Sequence, residues 1–310
     1  MAKEPGIGVK ALGVRQSKGF IVASLSVPLL LYVGFFVYPA LQGFYVSLFN
    51  WDGFSTNMAF RGLGNFRELL GDGHFWRVVM RNTLGILVIG GAAVLGIALL
   101  FSHLLTGRVR GKRFLRAAVF FPNVVNPVAL AVLWGFIYNQ QWGLLNGLLR
   151  SVGLDSLIRT WTAPDSLFWA LLAALVWINV GFYTVILVAA LDRIPPDYAD
   201  AANVDGATPW QVFFRIKLPL IRDILSLAIV LWGFTAIKEF SFLYAWGGGG
   251  AFPQPGQQNL AVYMYAISFG TREATFRMGY ASAMGVLMLF IVFFFVFAFW
   301  KLLGRESVEY

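Results

Sequence analysis

The sequence contains no cysteine, which excludes disulfides, thiolate metal sites and cysteine nucleophiles. Only two histidines occur, His74 and His103, too few for a histidine-rich metal site, and we expect each to be an ordinary interfacial residue. Charged residues make up 13% of the chain, whereas soluble domains carry roughly 25%. No G-x-x-x-x-G-K-[ST] phosphate loop is found, so we expect no nucleotide site in this chain.

Apolar residues dominate the amino-acid composition. They reach 58% of the 310 residues, 30 of them phenylalanine, and the mean hydropathy is +0.70. This composition is typical of a protein surrounded by lipid. The net charge of +9 would suggest nucleic acid in a soluble protein. Here the basic residues lie in short loops between apolar runs, so we interpret them as orientation signals and expect no nucleic-acid partner.

Six stretches are long and apolar enough to cross a bilayer, which takes about 20 residues each. The sequence therefore predicts an all-α, polytopic membrane protein with a transmembrane domain over 20–303. It is preceded by an N-terminal segment, 1–19, and followed by a tail, 304–310. The first span is too long for the apolar region of a signal peptide, and further spans follow it. The predicted spans are 20–41, 82–105, 117–138, 167–191, 224–246 and 279–301.

Lysine and arginine predict the orientation of these spans. With the N-terminus inside, the inner segments carry 15 of these residues and the outer segments carry 8. An excess on the inner side places both termini in the cytoplasm.

The loop between the fourth and fifth spans has strong helix signals. Pro195 and Pro196 suit the first turn of a helix, and Gly206 suits a left-handed C-terminal cap. Thr208 and Gln211 are spaced as a capping box for a second helix. The loop is therefore predicted to form two short helices joined by a sharp bend.

This loop also carries aromatic residues, Trp210, Phe213 and Phe214. Exposed apolar surface of this kind usually marks an interface, although an ordinary well-capped loop remains the alternative.

The spacing of small and apolar residues in the loop resembles the EAA loop of ABC-importer permeases. Asp200 stands where that family usually has glutamate, which shortens the carboxylate by one methylene. The resemblance implies that the loop over 195–219, including Trp210, forms the coupling helices that dock into a groove on a separate ATPase subunit. The matching residues are Asp200, Ala201, Ala202, Gly206, Ile216, Leu218 and Pro219.

Motifs elsewhere resemble the carbohydrate-uptake class of these permeases, and most closely the larger, F-type subunit of the maltose permease. Ala251 departs from the pattern, since the family usually has proline after the glycines. The resemblance implies a type I ABC importer permease fold with six transmembrane helices. The residues that carry it include Tyr38-Pro39, Gly62-Leu63-Gly64-Asn65-Phe66, Arg81-Asn82-Thr83, Phe121-Pro122 and Phe240-Ser241-Phe242-Leu243-Tyr244 followed by Gly248-Gly249-Gly250.

The same resemblance implies the other subunits of the importer. It comprises a second permease subunit in a heterodimer, two ATPase subunits that hold ATP and Mg²⁺, and an extracellular or periplasmic solute-binding protein. The chain itself would bind no cofactor and would not be an enzyme. It would lie among lipids in a bacterial or archaeal cytoplasmic membrane and carry a sugar, an oligosaccharide or a similar polyol by alternating access.

Candidate path-lining residues lie in spans four and five. Trp232, Thr235, Glu239 and Phe242 are spaced 3, 4 and 3 residues apart, which predicts one helical stripe. By resemblance, Trp232, Thr235, Ala236 and Glu239 match positions that contact sugar in maltose-type permeases, with Glu239 in place of an amide. Packing or lipid contact is the alternative for such an aromatic stripe. The full set is Trp177, Asn179, Gly181, Tyr183, Trp232, Thr235, Ala236, Glu239, Phe240 and Tyr244.

Two further features have open interpretations. Lys238 and Glu239 are charges within a span, and such charges usually face an interior or a water-filled path. The alternatives are that they pair with each other or with a partner, or that Lys238 snorkels to the interface. The run from Pro122 to Pro127 predicts a kink, either near the inner gate or purely structural.

Two other classes of protein are alternatives. An ion-coupled secondary transporter would need coupling residues in several spans and often an internal repeat. An intramembrane enzyme would need paired carboxylates or histidines at membrane depth. The predicted spans have one Lys-Glu pair and no visible repeat, so both classes are disfavoured.

The absence of cysteine makes the orientation directly testable. In Arg110→Cys and Asp155→Cys variants, an impermeant thiol reagent applied to intact cells should label only position 155. Labelling of position 110 instead would invert the predicted topology.

Overall fold

A computed structural model of the protein describes residues 18–107, 109–246, 248, 251–270 and 276–303. Most of the predicted N-terminal segment 1–19, the whole predicted tail 304–310 and two residues of the glycine motif, Gly249 and Gly250, lie outside these ranges. The chain divides into two units, 1–45 and 46–310.

The described part of the first unit is a single helix, α1. It is α-helical over Lys18–Tyr32, π-helical over Val33–Val37 and α-helical again over Tyr38–Val46. Residues 22–46 of α1 are long and apolar enough to cross a membrane.

The second unit is helical apart from one two-stranded antiparallel ribbon, in which Phe49 pairs with Phe60 and Asn50 with Ala59. Short 3₁₀ turns lie at Asp155–Leu157 and Pro255–Gln257. The helical segment Phe75–Thr106 contains two π-helical stretches, Phe75–Met80 and Ile86–Gly90. The elements are β1 (Phe49–Asn50), β2 (Ala59–Phe60), α2 (Gly64–Gly71), α3 (Phe75–Thr106), α4 (Lys112–Val124), α5 (Pro127–Ile137), α6 (Leu144–Ser151), α7 (Pro164–Leu191), α8 (Asp197–Val204), α9 (Pro209–Val212, continuing through Phe213–Lys217 and Leu218–Leu220), α10 (Arg222–Lys238), α11 (Ser241–Ala245), α12 (Leu260–Phe269) and α13 (Met278–Leu303).

The predicted all-α class with about six apolar helices is confirmed. Within the described residues, five helical segments are long and apolar enough to cross a membrane, and a bent pair of helices makes a sixth. The ten-residue helix α12 is apolar but too short to span a bilayer on its own.

The third predicted span, 117–138, is not one helix. It is broken between α4 and α5, whose axes differ by 100°. Asn126 is the N-cap of α5 and accepts a hydrogen bond from the Val128 N–H at 2.8 Å, while Pro127 occupies the first turn. Since proline disfavours helical backbone in the residue before it, the sequence itself explains why the chain turns here.

The helix α7 is the central scaffold of the second unit. It packs mainly against α3 and α4, and about two-thirds of its most apolar stretch is buried. At Gly181 the backbone of α4 comes so close that an added Cβ would lie 2.0 Å from the Val119 carbonyl oxygen. A residue without a side chain is therefore required where these two helices cross.

Candidate functional site

The fifth predicted span is interrupted near its C-terminal end. The helix α10 ends at Lys238, and α11 begins at Ser241, so Glu239 and Phe240 lie between two helices. The span predicted over 224–246 is therefore not one continuous helix. A break at membrane depth frees backbone groups that lipid cannot satisfy, so the protein must provide their partners.

Those partners come from a segment that we call the amide strap, residues 253–260, which follows α11 and ends at the first residue of α12. Asn259 donates its side-chain N–H to the Glu239 carbonyl at 2.5 Å. Gln257 donates to the carbonyls of Leu243 and Trp246 at 3.1 and 2.6 Å. The strap therefore satisfies carbonyl groups at the ends of both α10 and α11.

The other side of the strap is bound to α3. Asn82 donates to the carbonyls of Pro255 and Gln258 at 2.7 and 2.9 Å. The Leu260 N–H donates to the Thr83 hydroxyl at 2.9 Å. Both Asn82 and Thr83 are fully buried, so the strap is a fixed internal part of the protein.

Glu239 has a defined local role. Its carboxylate accepts a hydrogen bond from the Phe242 N–H at 3.2 Å and so caps α11. Among the described residues, no ion pair joins Lys238 and Glu239.

A cavity of about 350 Å³ lies where the two helix breaks meet. Its wall combines hydroxyl groups, two charged side chains and aromatic rings, which suits a ligand that offers both hydroxyls and C–H faces. Pro127 contributes the break in the third span, and α11 packs against α5 beside it. The lining residues are Pro127, Phe234, Thr235, Lys238, Glu239, Phe240 and Ser241.

Only part of the predicted stripe on span five lines this cavity. Thr235 and Glu239 line the cavity, but Trp232 and Ala236 are buried and do not line it. The Trp232 indole donates to the Leu87 carbonyl at 2.9 Å, within the π-helical part of α3. Phe242 follows the break and is also buried, so it does not continue the stripe. Helical periodicity could not place Phe242, because the helix ends at Lys238.

Two further predicted residues extend the aromatic wall. Phe240 lines the cavity and stacks on Tyr244, with ring centroids 4.9 Å apart. Tyr265 of α12 lies 5.1 Å from the first ring and 4.9 Å from the second.

The four candidates on span four are not brought into this cavity. The Asn179 side chain donates to the Leu175 carbonyl of its own helix. Gly181 is the contact point with α4, and Tyr183 is buried edge-on to Trp232. Trp177 is half exposed and lines a different, apolar groove.

The local structure predicted for the 195–219 loop is confirmed. The helix α8 is followed by Gly206 in the left-handed region, with φ of +80°. Thr208 and Gln211 form the predicted capping box, with hydrogen bonds of 2.7 and 3.3 Å. These features could be predicted from the sequence because each depends on residues within three positions of one another.

This loop presents apolar side chains on its surface. Val204 is 88% exposed, and Trp210 stacks on His103 at the end of α3, with centroids 4.4 Å apart. Asp200, Ala201, Gly206 and Pro219 are exposed, Ala202 is buried, and Ile216 and Leu218 are half-buried. His103 therefore holds the loop against α3, a role that the sequence did not indicate.

Sequence reasoning also missed the amide strap and Ser241. The run of Gln257, Gln258 and Asn259 was the available signal, because three consecutive amides in an otherwise apolar region need hydrogen-bond partners.

Comparison with known proteins places this geometry in context. Residues 96–307 match the family described as binding-protein-dependent transport system inner membrane component. The probable ABC transporter permease protein YurN of Bacillus subtilis is 34% identical over 86% of this chain and 89% of its own length. The diacetylchitobiose uptake system permease protein NgcF of Streptomyces coelicolor is 31% identical over 89% of this chain and 80% of its own.

A solved structure has the same fold. It is a chain of a bacterial alginate ABC transporter in complex with alginate pentasaccharide-bound periplasmic protein. The TM-score is 0.71 at 21% identity, and the match covers 93% of this chain and 96% of that one.

The strap's contribution to stability can be measured. Asn259→Ala leaves the Glu239 carbonyl unpaired and removes the N-cap of α12, where the Asn259 side chain accepts from the Val262 N–H. We expect a loss of about 1–3 kcal/mol, seen as a lower thermal unfolding temperature in detergent. The matched control, Asn57→Ala, alters an exposed asparagine and should change little. Equal stability of the two variants would contradict the strap's role.

Proposed function

Because this chain belongs to the family of binding-protein-dependent transport system inner membrane components, we propose that it forms one half of the translocation path of an importer for oligosaccharides or similar polyols. The chain is a permease subunit of an ABC importer with the type I permease fold. It is a transport subunit and not an enzyme, since ATP is hydrolysed by separate subunits. Because the chain belongs to this family, it is not an ion-coupled secondary transporter.

The cavity between the helix breaks is the observation that carries the substrate proposal. It offers the Thr235 and Ser241 hydroxyls, the Glu239 carboxylate and the Phe240 ring within one small volume. Sugars present hydroxyls to such donors and acceptors and C–H faces to aromatic rings. A relative that takes up diacetylchitobiose supports a saccharide.

The proposed path is narrower than the set named from the sequence. Thr235, Glu239 and Phe240 line it, and Tyr244 supports it by stacking. Trp232, Ala236, Asn179, Gly181 and Tyr183 serve helix packing, and Trp177 faces a separate groove.

The assembly proposed around this chain has three other kinds of component. A second permease would complete the path, two ATPase subunits would hold ATP and Mg²⁺, and a binding protein would deliver the substrate. The chain lies in the inner membrane, and we propose that both termini face the cytoplasm, which puts α8 and α9 on the ATPase side.

Coupling would use the exposed surface of α8 and α9. The carboxylate of Asp200 and the side chains of Val204 and Trp210 are accessible to a partner. ATP-driven movement of the docked subunits would shift the preference between inward-open and outward-open states, which is what alternating access requires.

Removal of one hydroxyl tests the path. Thr235→Val should lower transport at limiting substrate by about fivefold in the assembled importer, because one hydrogen bond to the sugar is lost. Ser226→Ala is the matched control, because Ser226 lies on the same helix as Thr235. The hydroxyl of each residue donates to the backbone carbonyl four residues earlier in the helix. Equal transport by the two variants, with intact complexes, would remove Thr235 from the path.

A glycine pair tests the coupling surface. A valine side chain at position 206 would contact no neighbouring atoms, but its backbone would have to adopt φ of +80°. That backbone conformation costs a non-glycine residue of order 1–3 kcal/mol. Gly206→Val should therefore weaken capture of the ATPase subunits and substrate-stimulated ATP hydrolysis.

The control is Gly153→Val, at a glycine with φ of +73° and equally open surroundings in the loop after α6. It should keep both activities. Normal ATPase capture and normal transport by Gly206→Val would refute the docking role.

A further inference from the structure

Two cavities lie end to end along one face of α7. The first, of about 460 Å³, is near the start of the helix, and the second, of about 590 Å³, lies deeper. Ala173 lines both of them. We call the combined space the α7 groove.

The groove has the length of one membrane leaflet. Trp169, Ala173 and Trp177 are four residues apart and so share a helix face. From Ser166 to Val180 the helix rises roughly 20 Å, and half of a hydrocarbon core is roughly 15 Å thick. Trp169 and Trp177 are 55% and 43% exposed, so the groove opens outward from the protein.

The shallow end is polar and carries both signs of charge. Arg159 lies over the Trp161 ring at 4.9 Å from its centroid. Asp165 lies in the first turn of α7 and lines the same cavity. Among the described residues, neither side chain forms an ion pair, with the other or elsewhere.

The deep end is apolar. Its walls come from α3, α4 and α7, with Phe101, Leu115 and Val176 among the lining residues, and the Trp177 indole is its one polar side-chain group. A sugar placed there would lose hydrogen bonds to water without replacement. A hydrocarbon chain would lose none.

We propose that the α7 groove binds one zwitterionic phospholipid with a primary amine in its headgroup. The phosphate contacts Arg159, the amine contacts Asp165, and one acyl chain packs past Ala173 to Phe101. A purely anionic headgroup fits less well, because it would set a negative charge beside Asp165 without a compensating amine. The groove itself does not depend on the proposed function; only the assignment to the outer leaflet rests on the proposed orientation.

The test is lipid retention by the assembled importer. The complex is reconstituted in bilayers of equal phosphatidylethanolamine and phosphatidylglycerol, extracted into detergent, washed, and analysed by mass spectrometry. We expect the wild type to retain phosphatidylethanolamine in preference to phosphatidylglycerol. Arg159→Met should lower that retention about tenfold, because a charge-assisted hydrogen bond to phosphate is lost.

Two further variants separate the headgroup from the chain. Ala173→Phe fills the junction of the cavities and should abolish retention. Asp165→Asn keeps the shape of the groove and should remove the preference for phosphatidylethanolamine. The control, Arg150→Met, changes an exposed arginine outside the groove and should behave as wild type.

Several results would overturn the proposal: equal retention of the two lipids by the wild type, full retention by Ala173→Phe, or displacement of the lipid by oligosaccharide. Substrate-stimulated ATP hydrolysis is measured on the same preparations. If the wild-type complex showed no substrate-stimulated ATP hydrolysis, that result would count against the import function. It would not affect the conclusion on lipid binding.

Discussion

Backbone groups freed inside the membrane need protein partners, and the candidate path depends on how this chain supplies them. The break at Glu239 and Phe240 frees carbonyls that lipid cannot satisfy. Asn259 and Gln257 donate to those carbonyls from a strap that Asn82 binds from the opposite side. Without these amides the fifth span would favour a continuous helix, and the cavity beside Thr235 would lose one of its walls.

The same solution recurs at the other irregular points. The Trp232 indole N–H donates a hydrogen bond to the Leu87 carbonyl in the π-helical part of α3. The Asn126 side chain caps α5 after the break in the third span. In contrast, α7 is regular and buried over most of its length. The chain thus combines a rigid central helix with two broken ones, and the cavity lies where the breaks meet.

Sequence reasoning succeeded where the chemistry is local. The helical spans follow from long uncharged runs, and the bend at Gly206 and the capping box of Thr208 follow from neighbours in the chain. The break at Glu239 is different, because its partner Asn259 is 20 residues away and its stability depends on tertiary contacts. Trp232 shows a second limit: a helical stripe indicates which residues share a face, but not whether that face meets a cavity or a neighbouring helix.

The most direct measurement asks whether the cavity between the breaks changes access during transport. Because this chain lacks cysteine, Ser241→Cys gives it one thiol, in the cavity wall, and the importer assembled with the unsubstituted chain is the control for thiols of other subunits. The account predicts that its reaction rate with a small thiol reagent differs between nucleotide-free and ATP-bound complexes, and that the transported oligosaccharide slows it. A rate that is unaffected by nucleotide and by substrate, in a complex that still transports, would contradict the placement of the path in this cavity.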